Sequence, residues 1–406
     1  MAQVSAPIHD RPAVVSGSTA AMAVLSTVFF MWGFVTVLND ILVPHLKSIF
    51  SLNYAETMLI QFTFFSAYFI MSLPAARVIS AIGYKRTIVL GLGVMACGAL
   101  LFVPAALIPS YGFFLGALYV LAAGMTFLQV SANPYVAVLG LPEGASSRLN
   151  LVQALNSLGT TIGPAVGGAL ILSSGTVAST VIRPYVGIAL LLTVLALVLA
   201  RFPLPVLQHI ERRDTGRDTV WRHRHLVLGA AAIFTYVGAE VAIGSFLVNY
   251  FIQPDIGALT APVAAQYVSL YWGGAMVGRF AGAAILRRVR TGPAVGIAAV
   301  VAAVLVTTSI LTTGHVAMWS IILVGLFNSI MFPSIFTLGI AELGALTGRG
   351  SGLLIAAIVG GAIVPLLQGV LADRIGIQGA FVLPVFCYAY IVFYGFVGSR
   401  PAHAVA

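Results

Sequence analysis

The feature that most constrains this chain is the recurrence of apolar stretches of about 20 residues, separated by short polar breaks. We count twelve such stretches along the 406 residues, and a single water-soluble core does not accommodate them. Composition agrees, because 60% of the residues are hydrophobic and only 8% are charged. A soluble enzyme, a nucleic-acid-binding module and a disordered chain are therefore excluded. We expect an all-α integral membrane protein that lies in the lipid bilayer and has no nucleic-acid partner.

The predicted transmembrane helices can be placed to within a few residues. They cover residues 20–43, 56–80, 87–108, 111–139, 150–173, 182–201, 226–251, 262–285, 293–313, 317–341, 351–373 and 378–399. The first apolar stretch is too long for a signal peptide and has no small-residue cleavage site after it. We therefore interpret it as a retained membrane anchor.

The basic residues predict how the spans are oriented. With the N-terminus in the cytoplasm, most of the 20 Lys and Arg residues lie inside, and only Lys47, Arg183 and Arg374 lie outside. Cytoplasmic loops are enriched in Lys and Arg, so this asymmetry supports an even number of spans with both termini inside. The net charge of +9 then reflects loop orientation in a bacterial-type inner (plasma) membrane, not an acidic partner.

The chain is predicted to consist of two halves. Residues 202–225 form the longest charged insertion and lie near the middle of the chain. Arg77 and Arg279, each followed two helical turns later by a basic pair, lie about half a chain length apart, as do Pro134 and Pro333. These repeats predict two pseudo-symmetric six-helix bundles with a central cavity between them. The predicted domains are a tail at 1–19, a bundle at 20–201, a linker at 202–225, a bundle at 226–399 and a tail at 400–406.

Two acidic residues lie deep in predicted spans. Asp40 is in the first span and Glu240 is in the seventh, at roughly corresponding places in the two halves. Charges inside a membrane are costly and usually functional, and a carboxylate in a partly desolvated pocket can bind and release a proton. Both acids are therefore candidates for cation coupling. The alternative is that each is a buried, hydrogen-bonded acceptor that ties helices together.

A second set of candidates consists of neutral amides and aromatic rings. Gln129 and Asn133 are spaced i, i+4 in the fourth span, and Gln153 and Asn156 are spaced i, i+3 in the fifth, so each pair shares a helix face. Amides both donate to and accept from hydroxyl groups, and aromatic faces stack on C–H patches, a combination that suits a sugar. The candidates from this pattern are Trp32, Gln61, Gln129, Asn133, Gln153, Asn156, Tyr236 and Trp272. Any single amide could instead be a tie between helices.

The two repeat-related arginines are predicted to lie near the cytoplasmic ends of the second and eighth spans. We interpret Arg77 and Arg279 as gating residues, with plain snorkelling toward the membrane surface as the alternative. The sequence contains no Walker A motif, no HExxH and no GxSxG, and no histidine lies deep in a span. We therefore expect neither an enzyme nor a bound metal or organic cofactor.

Several motifs carry a resemblance to a known family. They are LNDILVPHLKSIF, LIQFTFFSAYF, SANPYVAVLG, RLNLVQALNSLG and FPSIFTLG, and they occur in both halves of the chain. Together they resemble the fucose, glucose and galactose symporter family of the major facilitator superfamily. The stretches LQVSANPYV and YVGAEVAIGSFLVNY are closer to its glucose/galactose branch. The resemblance implies the twelve-helix fold, alternating access and uptake of a hexose driven by a cation gradient.

The resemblance also implies roles for individual residues. Fucose carriers of the family use an aspartate of the LND motif and a fourth-span glutamate for proton coupling and sugar binding. The aspartate matches Asp40, whereas the glutamate position holds Gln129, which cannot be protonated in that role. The fifth-span amides match Gln153 and Asn156, and a tenth-span aromatic matches Phe332. Phe332 lacks the hydroxyl of the tyrosine in some relatives.

We therefore expect a hexose:cation symporter, working as a monomer, for D-glucose, galactose or mannose, with a proton as the coupling ion. Asn39, beside Asp40, joins the sugar-binding candidates, and its oxygen also suits Na⁺, which some members of the wider family use. A sodium-coupled or uncoupled hexose carrier and a fucose carrier are the nearest alternatives. A multidrug exporter on the same fold, a membrane-embedded sugar sensor and an intramembrane enzyme are more distant ones.

Overall fold

The computed structural model describes residues 18–51, 54–108, 110–167, 181–205 and 219–401. Within these ranges the regular structure is helical throughout. The helices are α1 Ser18–Phe50, α2 Tyr54–Ile82, α3 Tyr84–Leu107, α4 Tyr111–Val138, α5 Ala145–Gly167, α6 Ile182–Arg201, α7 Arg224–Phe251, α8 Ala261–Ile285, α9 Thr291–Leu311, α10 Gly314–Asn328, α11 Met331–Gly339, α12 Thr347–Ala356, α13 Gly360–Ala380 and α14 Val382–Phe393. Most of both predicted tails, the centre of the linker at 202–225 and the side chains of Asn39 and Asp40 lie outside the described residues.

The predicted all-α fold with twelve spans is confirmed. In the part of the chain that the structure describes, nine helical stretches are long and apolar enough to cross a membrane. The more polar α5 and α8 and the short apolar helix Val382–Gly398 complete the twelve. The tenth span consists of α10 and α11, and the eleventh consists of α12 and the first part of α13.

The last two spans are separated by a sharp bend inside α13. Gly376 has a φ of 82° and a ψ of 160°, which lies outside the helical region. An L-residue with a side chain rarely adopts such a positive φ, whereas glycine does so without a steric penalty. The bend therefore ends the eleventh span close to where the sequence predicts its end, at residue 373.

Helices α1–α6 pack mainly on one another, and so do α7–α14. We call these sets the N-terminal and C-terminal groups. In the first, α1 packs against α5 and α4 packs against α2 and α3; in the second, α7 packs against α13 and α9 against α10. Gly33 shows how close the packing is, because a Cβ atom there would overlap the backbone carbonyl of Asn156 on α5. Small residues at such contacts allow membrane helices to approach closely.

The two groups pack on each other through α5 with α8 and α2 with α12. Several hydrogen bonds also join them at the end of the bundle where α4 ends and α5 begins, which we call the α4–α5 end. The Ser146 and Thr337 hydroxyls lie 2.6 Å apart, and Ser147 donates to the Ala283 carbonyl at 2.5 Å. Ser351 on α12 donates to the Val130 carbonyl on α4 at 2.8 Å. A cavity of about 480 Å³ lies at this end and is lined by residues of both groups. The α4–α5 end is therefore held closed by hydrogen bonds between the groups.

Candidate functional site

Three amide side chains meet where α4 packs against α5, and we call Gln129, Asn133 and Gln153 the amide cluster. All three are buried, with exposed fractions of 6%, 0% and 5%. Gln153 donates from Nε2 to Oδ1 of Asn133 at 3.4 Å. The i, i+4 spacing on α4 places Gln129 one turn from Asn133, so the predicted shared face is present as a polar surface inside the N-terminal group.

Two atoms of the amide cluster lack a hydrogen-bond partner within the described ranges. They are Oε1 of Gln129, an acceptor, and Nδ2 of Asn133, a donor. A buried polar group without a partner costs about 1–3 kcal/mol, so such groups usually await a ligand or a water molecule. One free acceptor and one free donor match the hydroxyl groups of an uncharged polar ligand.

Aromatic residues of α1 and α2 enclose the Gln129 end of the cluster. The Tyr68 side chain is 2% exposed, and its hydroxyl group lies near the side chains of Gln129 and Trp32 and donates to Sδ of Met125 at 4.0 Å. Trp32 packs on Phe29 with ring centroids 5.4 Å apart. Aromatic faces beside amide groups are a common environment for sugar rings, because they pack against the C–H faces of the sugar. Gln61, two turns before Tyr68 on α2, is half-buried.

Asn156 has a different contact from the one expected for a ligand-facing amide. Its Nδ2 atom donates to the backbone carbonyl of Phe29 on α1 at 2.9 Å. This contact lies where Gly33 allows α1 and α5 to approach closely. The structure thus brings Gln153 to Asn133, whereas Asn156 forms an interhelical tie.

In the C-terminal group, Glu240 is paired with Tyr236 on α7. The buried Tyr236 hydroxyl donates to Oε1 of Glu240 at 2.7 Å. The Phe332 ring lies 6.5 Å from the Tyr236 ring and stacks on Phe336 at 6.2 Å. The candidates Tyr236, Glu240 and Phe332 therefore belong to one local site, with an acidic group beside an aromatic wall.

Arg279 connects the two groups. One of its Nη atoms donates to Oγ of Ser157 on α5, and its Nε donates to the backbone carbonyl of Ser329 at 3.3 Å. Ser157 lies one turn after Gln153 and donates to its carbonyl at 3.0 Å. The Arg279 charge also acts on the carboxylate of Glu240. Arg279 therefore lies between the amide cluster and the acidic site.

The break between α10 and α11 provides one of these contacts. Ser329 lies just after α10, which ends at Asn328, and α11 begins at Met331. Where a transmembrane helix is interrupted, backbone carbonyls are free to bind side chains or ions. The Ser329 carbonyl accepts from Arg279 in this way.

Comparison with known proteins identifies the family. The sequence profile of the Major Facilitator Superfamily matches residues 23–358. The chain belongs to the Major Facilitator Superfamily. A protein named glucose/galactose transporter from Brucella abortus is 54% identical over 97% of this chain and 98% of its own length. The L-fucose-proton symporter of Escherichia coli is 34% identical over 94% of this chain and 93% of its own length.

A solved structure of this superfamily has the same fold. The crystal structure of the transporter FucP in the outward conformation matches with a TM-score of 0.88 and 32% identity, over 95% of this chain and 100% of that chain. Together with the named relatives, this shows that the chain is a sugar transporter of the superfamily and not an enzyme. A monosaccharide is thus its class of substrate.

The remaining predicted site residues do not contribute to the contacts of the amide cluster or of Glu240 described above. Trp272 is 44% exposed and packs over Gly244 on α7, 3.0 Å from where a Cβ atom would lie. Arg77 is exposed near the end of α2, so it differs from its repeat-related counterpart Arg279, which is half-buried. Nothing is described for the Asn39 and Asp40 side chains, and their predicted roles stay predictions.

One buried polar cluster was not predicted from the sequence. Asn328 donates to the Tyr271 hydroxyl at 2.9 Å and accepts from the Tyr388 hydroxyl at 2.8 Å, and all three residues have exposed fractions of 0%. The cluster joins α8, α10 and α14. In the sequence these are an asparagine and two tyrosines inside three otherwise apolar spans. Because the spans are far apart in the sequence, nothing in the sequence shows that the three side chains meet.

Proposed function

We propose that this sugar transporter is a hexose:cation symporter that moves D-glucose, galactose or mannose into the cell together with a proton. The observation that carries the proposal is the amide cluster, where a buried acceptor of Gln129 and a buried donor of Asn133 lack partners among the described residues. Hydroxyl groups of a hexose satisfy both atoms at once. The 54% identical relative is named a glucose/galactose transporter, which supports this substrate class.

The coupling ion is proposed to bind at the acidic residues. Asp40 on α1 and Glu240 on α7 are the two acids placed inside spans by the sequence, and Glu240 has a described partner in Tyr236. Gln129 is not ionisable, so the fourth helix supplies sugar contacts without supplying a proton carrier. A proton is the ion that a carboxylate paired with a tyrosine hydroxyl best accommodates, because the pair offers few of the oxygen ligands that Na⁺ requires.

Arg279 is proposed to be the gating residue. Its contacts with Ser157 and Ser329 join the N-terminal and C-terminal groups while the α4–α5 end is closed. Movement of one group against the other would break the contact with Ser157. Arg279 acts on Glu240, the proposed ion site, and contacts α5, the helix that carries Gln153 of the proposed sugar site. Closure can therefore depend on both the ion and the sugar, since a ligand shifts an equilibrium only by its differential affinity for the two states. Arg77, which is exposed near the end of α2, would instead anchor α2 at the membrane surface on the side of the α4–α5 end.

In the proposed topology the protein lies in a bacterial inner membrane, with helical bundles at 20–201 and 226–399. The α4–α5 end and both termini face the cytoplasm. The basic loops support this orientation. With that assignment the closed α4–α5 end is the cytoplasmic end, which corresponds to an outward-facing state. Alternating access then requires the Ser146–Thr337 and Ser351–Val130 contacts to open.

The test is transport in liposomes that contain the purified protein, with radiolabelled glucose and an imposed proton gradient, a sodium gradient or neither. We expect accumulation only with the proton gradient. Accumulation with sodium alone would instead identify a sodium-coupled carrier, and equilibration in every condition would identify an uncoupled one. If glucose does not move, galactose, mannose and fucose are offered to the same vesicles. Transport of one of them would show that the protein carries another sugar, and transport of none would show that it is not a carrier of these sugars. Competition by hydrophobic cations would favour a multidrug exporter.

A further inference from the structure

A groove on the surface of the C-terminal group lies outside the site described above. It has a volume of about 360 Å³ and is bounded by the end of α8, the start of α9 and the junction of α10 and α11. Its lining is almost entirely small or aliphatic, and it includes Gly278, Ala281, Gly282, Ile285, Val289 and Ile297. Ile285 and Ile297 are 54% and 56% exposed, so the groove is open on its outer side. In a transmembrane bundle that side faces lipid.

One end of this groove is strongly basic. The turn between α8 and α9 carries the exposed Arg287, Arg288 and Arg290, and its residues Leu286 and Val289 line the groove. The turn folds back on α8, because the Arg288 N–H donates to the Ile285 carbonyl at 3.0 Å. No acidic residue occurs in the sequence between Gly278 and Ala298. The positive charge at this end is therefore not balanced by neighbours along the chain.

The groove is long enough to hold much of a lipid acyl chain. From Gly278 to Ile285, where α8 ends, the groove follows the helix for about 10 Å at 1.5 Å per residue, and the turn residues Leu286 and Val289 extend it toward the arginines. One leaflet of a bilayer has a hydrocarbon depth of about 15 Å, half of the usual core thickness. An acyl chain whose headgroup lies at the arginine turn would thus reach Gly278.

We propose that this groove binds an acidic phospholipid, with an acyl chain along α8 and its phosphate at Arg287, Arg288 and Arg290. Guanidinium groups bind phosphate oxygens through charge-assisted, often bidentate hydrogen bonds, and basic residues next to transmembrane helices attract anionic lipids. The apolar wall binds the chain and the arginines select the headgroup. At its inner end the groove reaches Ser329, whose carbonyl accepts from Arg279, so the lipid also packs against the break between α10 and α11.

The first experiment measures which lipid the purified full-length protein retains. Phosphatidylglycerol and phosphatidylcholine with the same acyl chains are offered in equal amounts, and native mass spectrometry counts the bound lipids. We expect phosphatidylglycerol to be preferred. In R287Q/R288Q we expect that preference to fall by at least fivefold. Fivefold is the change in affinity expected when a single basic residue beside an anionic headgroup is lost, at about 1 kcal/mol per residue. The matched control K85Q/R86Q removes the same charge from the repeat-related basic pair and should retain the preference.

A second variant tests the groove independently of charge. Ala281 is exposed and lines the groove, so A281F fills the path of the chain without removing an arginine. We expect it to lower phosphatidylglycerol retention severalfold while the melting temperature stays unchanged. The proposal is wrong if the wild type shows no preference, if R287Q/R288Q retains it, or if K85Q/R86Q loses as much. It is also wrong if millimolar inorganic phosphate displaces the lipid, because the acyl chain would then contribute nothing.

Discussion

Tyr236 donates a 2.7 Å hydrogen bond to Glu240 from one turn earlier on α7. Both residues lie in the hydrophobic thickness of a membrane helix, where an ionisable side chain is costly and normally has a partner. The pair allows two functions of Glu240 to be separated, since its charge and its hydrogen bond can be removed one at a time.

For Glu240, we expect E240Q to lose concentrative uptake while sugar exchange across the membrane continues. Glutamine can still accept from Tyr236 but cannot bind and release a proton. E240A, which loses both, should also weaken sugar binding by about tenfold, the effect of roughly 1.4 kcal/mol. Y236F is the matched control, because it removes the hydrogen bond and retains the carboxylate. An unchanged binding isotherm in E240A would show that Glu240 is only a structural tie.

The second coupling prediction concerns Asp40 on α1. We expect D40N to abolish accumulation of hexose against its gradient and to leave counterflow exchange measurable, because the amide cannot carry a proton. Uptake driven by a proton gradient and exchange driven by preloaded sugar are measured in the same vesicles. Full concentrative uptake by D40N would remove Asp40 from the coupling mechanism.

The positions of the spans and of the acids were accessible from the sequence, but the partners of the side chains were not. Apolar length and the repeat predict the twelve helices, and the i, i+4 spacing of Gln129 and Asn133 predicts their shared face. The same argument predicts that Gln153 and Asn156 share a face, but it does not reveal that Asn156 bonds to Phe29 on α1. The direction in which an amide side chain points depends on the neighbouring helix. Gly33 lets α1 approach α5 closely enough for Asn156 to reach the α1 backbone.

The amide cluster and Asn156 therefore predict different mutant behaviour. We expect N133L to weaken hexose binding by about 5- to 150-fold, because removing one hydrogen-bond partner of a buried ligand hydroxyl costs about 1–3 kcal/mol. N156A should instead lower the free energy of unfolding by about 0.5–1.5 kcal/mol through loss of the bond to Phe29. Binding titrations and thermal unfolding of both variants separate the two roles. Equal loss of affinity in N156A and N133L would contradict the assignment.

The contact between Arg279 and Ser157 is the least predictable from sequence, because it joins helices of different groups and exists only when they are packed in this state. Repeat position related Arg279 to Arg77, yet only Arg279 is half-buried between the groups. If the contact holds the α4–α5 end closed, its loss must raise the population that is open there.

We expect R279Q to increase the labelling rate of a cysteine at the α4–α5 end. A137C is suitable, because Ala137 is 2% exposed and lines the cavity at that end. In a C97S background, which removes the exposed native thiol, maleimide should label A137C several times faster with R279Q than without it. R77Q is the matched control, since it removes an arginine that is already exposed. Equal labelling in R279Q and R77Q would show that Arg279 does not hold this end closed.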